Sequence, residues 1–127
     1  MEINIANVLI ALGQLLLGAL FVWAGLNHFG PAGEKALAML QARGVPRARE
    51  ALYFGSIFEA VCGACLMLGV AVVPAAIGLV IFTVIASVLL VNFWDFPAGE
   101  LRETLRIIFF SNTAVVGGLL LAAASAL

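Results

Sequence analysis

Charged residues are scarce in this chain. They make up 10% of its 127 residues, whereas hydrophobic residues make up 65% and the mean hydropathy is +1.20. Soluble globular domains carry about 25% charged residues, so this composition excludes an ordinary water-soluble domain. Six Lys and Arg stand against seven Asp and Glu, and no basic run is interleaved with aromatic residues, so no nucleic-acid partner is expected.

Residues that hold common cofactors are also few. The chain has one histidine and two cysteines, and its sequence contains no nucleotide-binding motif, haem ligand set or iron–sulfur cysteine array. We therefore predict no metal site and no tightly bound classical cofactor.

What the sequence does contain is four long apolar runs. At roughly 20 residues for each membrane crossing, four spans use about 80 residues and leave room for charged segments between them. The spans are predicted at residues 3–29, 51–70, 73–96 and 107–124. The sequence thus predicts an all-α, four-helix integral membrane bundle that forms one domain over residues 1–127, with the lipid bilayer as its surroundings.

Two polar segments separate these runs. In the first, residues 30–50, the side chains of Ala36, Leu37, Met39 and Leu40 make one side of a short stretch apolar. This pattern favours a short helix lying in the membrane interface, and a plain connecting loop is the alternative. The second polar segment, residues 97–106, is predicted to be a short charged loop.

The basic residues predict the orientation. Four of the six Lys and Arg lie in residues 30–50 and the other two in residues 97–106. Basic residues accumulate in the cytoplasmic loops of membrane proteins. Both charged segments are therefore predicted in the cytoplasm and both termini outside, in a multi-pass protein of the cell inner membrane.

Glu59 is the most unusual residue within the spans. A carboxyl group near a helix centre costs about 2.5–3.5 kcal/mol on insertion scales and usually faces a bundle interior or a cavity. At 1.5 Å per residue, Glu59 lies about 12 Å from the cytoplasmic end of its span, Asn112 about 9 Å and Asn92 about 6 Å. His28 lies in the same half of the membrane, so these four residues form a candidate ligand-binding layer. In the structural alternative, a protonated Glu59 is only hydrogen-bonded to Asn112.

Two further residues complete the predicted ligand-binding set. Gln14 belongs to a stripe along the first span, in which Asn7, Gln14, Phe21 and His28 recur every seven residues and Ala11, Gly18 and Gly25 lie between them. Trp94 belongs to a group of aromatic residues at the predicted cytoplasmic boundary, where an aromatic belt is expected, and is a candidate wall of the pocket. For His28 the alternative to a ligand contact is packing beside Trp23 or Trp94.

Cys62 and Cys65 are a candidate catalytic pair. Two thiols at this spacing lie within one helical turn, in the arrangement used by dithiol redox sites. This predicts a redox-active pair that exchanges electrons with a quinone in the membrane. The alternative is that both cysteines pack between helices as small apolar residues.

Short motifs in all four spans resemble the DoxX family of small four-helix membrane proteins. The similar blocks are Leu17–Phe21, Ala24–Phe29, Phe58–Glu59, Gly63, Leu66–Gly69, Asn92–Trp94, Asn112 and Gly117–Leu119. The chain departs from the family pattern at two places: many members carry His-Asp where Val91 and Asn92 stand, and often a lysine where Asn27 or His28 stands. The resemblance implies a relation to membrane redox complexes, since some members are subunits of a thiosulfate:quinone oxidoreductase, although many have no established activity.

The leading functional hypothesis combines the polar layer with this resemblance. It is a DoxX-like small subunit or accessory factor of a quinone-linked redox system, in which Glu59, Asn112 and Asn92 bind the polar head of a quinone. Its expected partners are redox subunits or further copies of the chain. One alternative is a module that binds or transports a proton or small solute without electron transfer, and another is a purely structural partner. Whether the chain is itself an enzyme is left open.

Overall fold

The computed structural model describes residues 4–127 and is helical. Its elements are α1 (Ile5–Asn27), α2 (Pro31–Ala42), α3 (Ala48–Leu68), α4 (Val72–Leu90), a 3₁₀ turn (Phe93–Asp95) and α5 (Glu100–Ser125). No strand occurs in this part of the chain. The prediction of an all-α protein is confirmed.

Four segments are long and apolar enough to cross a membrane. They are Ile5–Asn27, Ala48–Leu68, Val72–Asp95 and Glu100–Ser125. Large apolar side chains stand on their outer surface, and Leu16, Leu68 and Leu121 are each more than 70% exposed. Water would disfavour such a surface, whereas lipid tails accept it, and the helices satisfy their own backbone hydrogen bonds. The prediction of a multi-pass membrane protein is confirmed, and the side on which each terminus lies stays a prediction.

The four spanning helices form a ring in which each helix contacts two neighbours. The order around the ring is α1, α3, α4 and α5, and α5 closes it against α1. The closest pair is α1 and α3, where glycines let the two backbones approach. A Cβ atom added to Gly18 would collide with the carbonyl oxygen of Gly63, and one added to Gly25 would lie 2.6 Å from the carbonyl oxygen of Ser56.

The two halves of the ring are packed differently. The half remote from α2 is filled by an apolar core made of Phe21, Leu66, Val72, Ala75, Ala76, Leu79, Leu119 and Ala123. At the other end, a second cluster joins α2 to α3 and consists of Ala36, Leu37, Leu40, Ala48 and Leu52. Leu89 and Leu90 of α4 pack against this second cluster. The space between the two clusters is where the candidate site lies.

The segment between the first two spans contains α2. Pro31 occupies the first helical position, where its fixed φ suits a helix start and its missing N–H costs nothing. The predicted short helix is confirmed and the plain-loop alternative is wrong. Its apolar side, formed by Ala36, Leu37 and Leu40, is buried against the bundle and is therefore covered by protein.

Two helix boundaries differ by six residues or more from those drawn from hydropathy, and the others differ by three or fewer. α4 ends at Leu90 because Val91 leaves the helical conformation, with φ −123° and ψ 39°. α5 begins at Glu100, within the predicted loop 97–106, and Glu100 and Glu103 lie in its first turn. Negative charge is favourable there because of the helix dipole. Apolarity indicates which part of a helix contacts lipid, and it does not indicate where the helix starts.

An ion pair connects the two charged segments. The guanidinium of Arg43, which follows α2, donates from Nη1 to Oδ2 of Asp95 at 3.1 Å. Asp95 belongs to the turn between α4 and α5. The two polar segments that carry the basic residues therefore lie together at one end of the bundle.

Candidate functional site

A cavity of about 550 Å³ lies inside the ring of helices, next to α2. The spanning helices contribute wall residues from 20–28 of α1, 51–59 of α3, 82–90 of α4 and 108–115 of α5, and Leu40 of α2 closes one end. All these ranges lie in the half of the bundle nearest α2. The volume falls within the roughly 300–1,000 Å³ of small-molecule pockets.

The cavity wall is largely apolar and holds a few polar side chains. Phe21 and Phe82 are among its apolar residues. The polar side chains are those of His28, Ser56, Glu59, Thr83 and Asn112. Apolar walls with a few placed polar groups are typical of sites that bind and orient small molecules.

Glu59 lies within α3 and is 4% exposed. Its Oε2 atom has no hydrogen-bond partner among residues 4–127 and lies 3.6 Å from Nδ1 of His28. A buried polar atom that is left unpaired costs about 1–3 kcal/mol, and native interiors keep few of them. Glu59 is one of the residues that line the cavity, so a bound molecule is a candidate donor for this oxygen.

His28 follows the first span and links α1 to α3. The hydroxyl of Ser56 donates to the carbonyl oxygen of Leu52 at 2.7 Å, which uses its single proton. The 3.1 Å contact between Nδ1 of His28 and Oγ of Ser56 is therefore one in which Nδ1–H donates. Burial lowers the pKa of His28 below its ordinary 6.5, so the ring is neutral at pH 7 and Nε2 carries a lone pair.

The opposite wall is built by α4 and α5. Nδ2 of Asn112 donates to Oγ of Ser87 at 3.0 Å, which joins the two helices. Thr83 lies one turn before Ser87 and is 5% exposed, and its Oγ1 has no hydrogen-bond partner in the described part of the chain. Among the described residues no hydrogen bond joins Asn112 to Glu59, and the amide of Asn112 is bonded to Ser87.

Most of the sequence matches the model of a known protein family. The model of the DoxX family matches residues 9–92. The chain belongs to the DoxX family. The match runs from within α1 to the end of α4 and includes His28, Glu59 and Thr83, and it confirms the resemblance to the family. The motifs of the last span, Asn112 and Gly117–Leu119, lie outside the matched residues. No curated protein and no solved structure matches the chain.

Three of the residues predicted to bind a ligand line the cavity of this DoxX-family protein, and three do not. The three that do are His28, Glu59 and Asn112. Asn92 is buried in the turn after α4, where its Nδ2 donates to Oδ2 of Asp95 at 2.8 Å. Gln14 lies roughly 20 Å from His28 along α1, at 1.5 Å per residue, and so belongs to the other half of the bundle.

Trp94 lies at the end of the bundle and outside the cavity wall. Its ring packs edge-on against Phe93 at 5.3 Å and against Phe109 at 5.6 Å, and it is 45% exposed. This position suits the aromatic belt of a membrane protein. His28 makes its polar contacts with Ser56 and Glu59, which differs from the expected packing beside Trp23 or Trp94.

The two cysteines of this DoxX-family chain are half-buried free thiols. Both pack against the apolar core in the half remote from α2, and neither lines the cavity. Cβ atoms three residues apart on a helix are about 5–6 Å apart, whereas a disulfide needs about 3.5–4.5 Å, so closing one would distort α3. The placement of Cys62 and Cys65 favours packing, and their redox activity stays a prediction.

Three polar residues of the site were missing from the sequence-based set. Ser56 precedes Glu59 by one helical turn, and Thr83 and Ser87 are the hydroxyl residues of α4, the most apolar of the four spans. A search for hydroxyl groups one turn from the intramembrane carboxyl, or within the most apolar span, would have found them.

Proposed function

We propose that this small membrane protein binds a lipid-soluble molecule with a polar head, of the quinone class, in the cavity. In this role it serves as a small subunit or accessory factor of a quinone-linked redox system of the inner membrane. The observation that carries the proposal is the largely apolar cavity of about 550 Å³ with Glu59 in its wall. Apolar walls suit a ring and tail, and a few polar groups suffice to orient a head.

Each polar side chain of the cavity has a different role in binding the head. An amide nitrogen has two protons, and Asn112 uses one on Ser87, so the other is available to a carbonyl oxygen of the head. The hydroxyl of Thr83 can donate or accept. Ser56 and Glu59 hold His28 at the cavity edge, which fixes the position of the imidazole relative to the head.

The His28–Glu59 pair also supports a second candidate function, in which the same cavity carries a proton or small solute. Such a module needs a path through both halves of the bundle. Leu66, Leu79 and Leu119 are fully buried in the half remote from α2, and they close that path in this conformation. The structure therefore favours binding, and proton-coupled uptake into liposomes that vanishes in Glu59→Gln would favour transport instead.

Asn112→Leu tests the binding proposal. We expect this variant to bind a decyl-tailed quinone about tenfold more weakly than the unmodified protein, since a buried hydrogen bond to the head is lost. The measurement is the amount of quinone retained by protein in lipid nanodiscs, after subtraction of the amount that partitions into protein-free nanodiscs. Helical circular dichroism and elution volume establish that the variant is folded.

Asn7→Leu is the matched control, because Asn7 is an exposed residue of α1 outside the cavity wall. It makes the same chemical change within a span and is expected to leave quinone binding unaltered. A folded Asn112→Leu protein that retains as much quinone as the unmodified protein would contradict the proposed site.

A further inference from the structure

Two residues that line the cavity each carry a buried side-chain oxygen without a hydrogen-bond partner. In the part of the chain that the structure describes, the buried side-chain oxygens that lack a partner are Oε2 of Glu59 and Oγ1 of Thr83. Both residues line the cavity, and they come from α3 and α4, which are neighbours in the ring. Since unpaired buried polar atoms are few in native proteins, their occurrence in two residues of one cavity indicates the chemistry of the bound molecule.

The environment of Glu59 determines which partner its Oε2 atom needs. Nδ1 of His28 carries a proton, because the only proton of Ser56 is donated to Leu52. Nδ1 lies 3.6 Å from Oε2 of Glu59. The partial positive charge of this N–H group favours an Oε2 atom that carries lone pairs over one that carries a proton. Oε2 is therefore an acceptor, and the partner that it lacks is a hydrogen-bond donor.

The charge of the cavity wall restricts the ligand further. Among the described residues no Lys or Arg lines the cavity, so an anionic head would meet the carboxyl group of Glu59 without any compensating cation. A cationic head would lose its hydration among largely apolar residues, at several kcal/mol per ion. A neutral head that carries a donor avoids both costs.

We propose that the ligand is held by a neutral hydroxyl group, which donates to Oε2 of Glu59 and accepts from the hydroxyl of Thr83. One hydroxyl group has one donor and two acceptor lone pairs, which is the combination that the two unpaired atoms need. The ligand class is that of lipophilic phenols, which includes hydroquinones, in preference to molecules that present only carbonyl or ether oxygens to Glu59. This inference rests on the proposed function and names the form of ligand that the cavity selects.

A pair of redox-inert probes tests the selection. Para-decylphenol and its methyl ether have the same ring and tail, and only the phenol can donate to Glu59. In nanodiscs, after subtraction of partitioning into protein-free discs, we expect the unmodified protein to bind the phenol about tenfold more tightly than the ether, as one buried hydrogen bond would give.

Two variants assign this preference to its residues. Glu59→Met replaces the carboxyl by an apolar side chain of similar length, and we expect the preference for the phenol to disappear. Thr83→Val keeps the branched shape and removes the hydroxyl, and we expect phenol binding to weaken several-fold. Because Thr83→Val removes an unpaired buried polar atom, it should not lower the unfolding temperature of the protein without probe. Helical circular dichroism and elution volume establish that Glu59→Met is folded.

Thr113→Val is the control for the second variant. The hydroxyl of Thr113 donates to the carbonyl oxygen of Phe109 within α5 and is exposed, so this change should leave phenol binding unaltered. Equal effects of Thr83→Val and Thr113→Val would contradict the role of Thr83.

The outcomes separate this inference from the proposed function. If the unmodified protein binds the methyl ether as tightly as the phenol, the hydroxyl selection is overturned while binding in the cavity stands. The selection by Glu59 is also overturned if Glu59→Met keeps the full preference for the phenol. It is overturned as well if decylammonium displaces labelled phenol at a lower concentration than unlabelled phenol does. If neither probe binds above protein-free nanodiscs and quinone does not bind either, the proposed function fails.

Discussion

His28 is the residue through which α1 reaches the polar wall of the cavity. Its Nδ1–H donates to Ser56 and lies beside Glu59, while 24% of its side chain is exposed. Gly33 of α2 lies against the carbonyl group of His28, where an added Cβ would collide. α2 therefore holds the backbone of His28 while α3 holds its ring.

The protonation of His28 is directly measurable because it is the only histidine of the chain. In protein labelled with ¹⁵N at histidine, we expect the proton on Nδ1 at pH 7, because Ser56 accepts it there. The titration midpoint should lie below 6.5, since burial lowers the pKa of His28. The measurement is the pair of ring ¹⁵N chemical shifts as a function of pH.

Ser56→Ala removes the acceptor and should move the neutral ring towards the form with its proton on Nε2. Ser111→Ala changes an exposed serine of α5 and should leave both shifts in place. A proton on Nε2 in the unmodified protein, or a midpoint above 6.5, would contradict the hydrogen-bond arrangement deduced for Ser56.

The sequence identified single polar residues better than their partners. Glu59 is conspicuous because it is a lone acid in an apolar run, and depth alone placed it near His28 and Asn112. Hydrogen-bond partners also depend on how each helix is rotated about its axis, which apolar composition does not determine. For this reason depth alone allowed an alternative in which Asn112 bonds to Glu59, whereas in the structure Asn112 bonds to Ser87.

At the scale of helices, the contact between α1 and α3 positions the cavity. The backbones approach most closely at Gly18 and Gly63, and His28 and Glu59 lie further along the same two helices. Because helix contacts in lipid depend on close van der Waals packing, a methyl group inserted at this contact separates the helices.

Gly18→Ala and Gly13→Ala make a matched pair of tests within α1. The methyl group introduced by Gly18→Ala would collide with Gly63, and overpacking of this kind costs about 1–3 kcal/mol of unfolding free energy. At Gly13 no heavy atom of the described residues lies within 4 Å of an added Cβ, so its substitution should be neutral or stabilising by roughly 0.5–1 kcal/mol through helix propensity. The measurement is reversible unfolding in mixed detergent micelles, and equal stabilities of the two variants would contradict the close approach.

Helices were predicted from hydropathy with unequal success. The spans themselves were visible because about 20 apolar residues in a row have few other uses. The end of α4 was not visible in the sequence, since Val91 is apolar but lies outside the helix. In the turn that follows, the side chain of Asn92 donates to Asp95. The start of α5 was not visible either, because its first two turns carry charged residues and precede the apolar run.

For the molecule as a whole, charge is concentrated at one end. Arg43 pairs with Asp95 across the two polar segments, and Arg49 lies 3.5 Å from Glu34 within the first. The opposite end, where α3 passes into α4 and where α5 finishes, carries no Lys or Arg. The cavity lies in the charged half of the bundle, so its side of the membrane follows from the orientation of this end.

The orientation of the chain is testable with reporter fusions. Basic segments remain in the cytoplasm, so we expect the charged end, with α2 and the cavity, to face the cytoplasm and Leu127 to lie outside. Alkaline phosphatase, which is active only after export, should be active when fused after Leu127, and green fluorescent protein fused there should stay dark. Fusions after Gly99, which precedes α5, should give the reverse pattern and serve as the control. Fluorescence from the fusion at Leu127 would indicate the opposite orientation, in which the polar wall formed by His28 and Glu59 lies in the outer half of the bilayer.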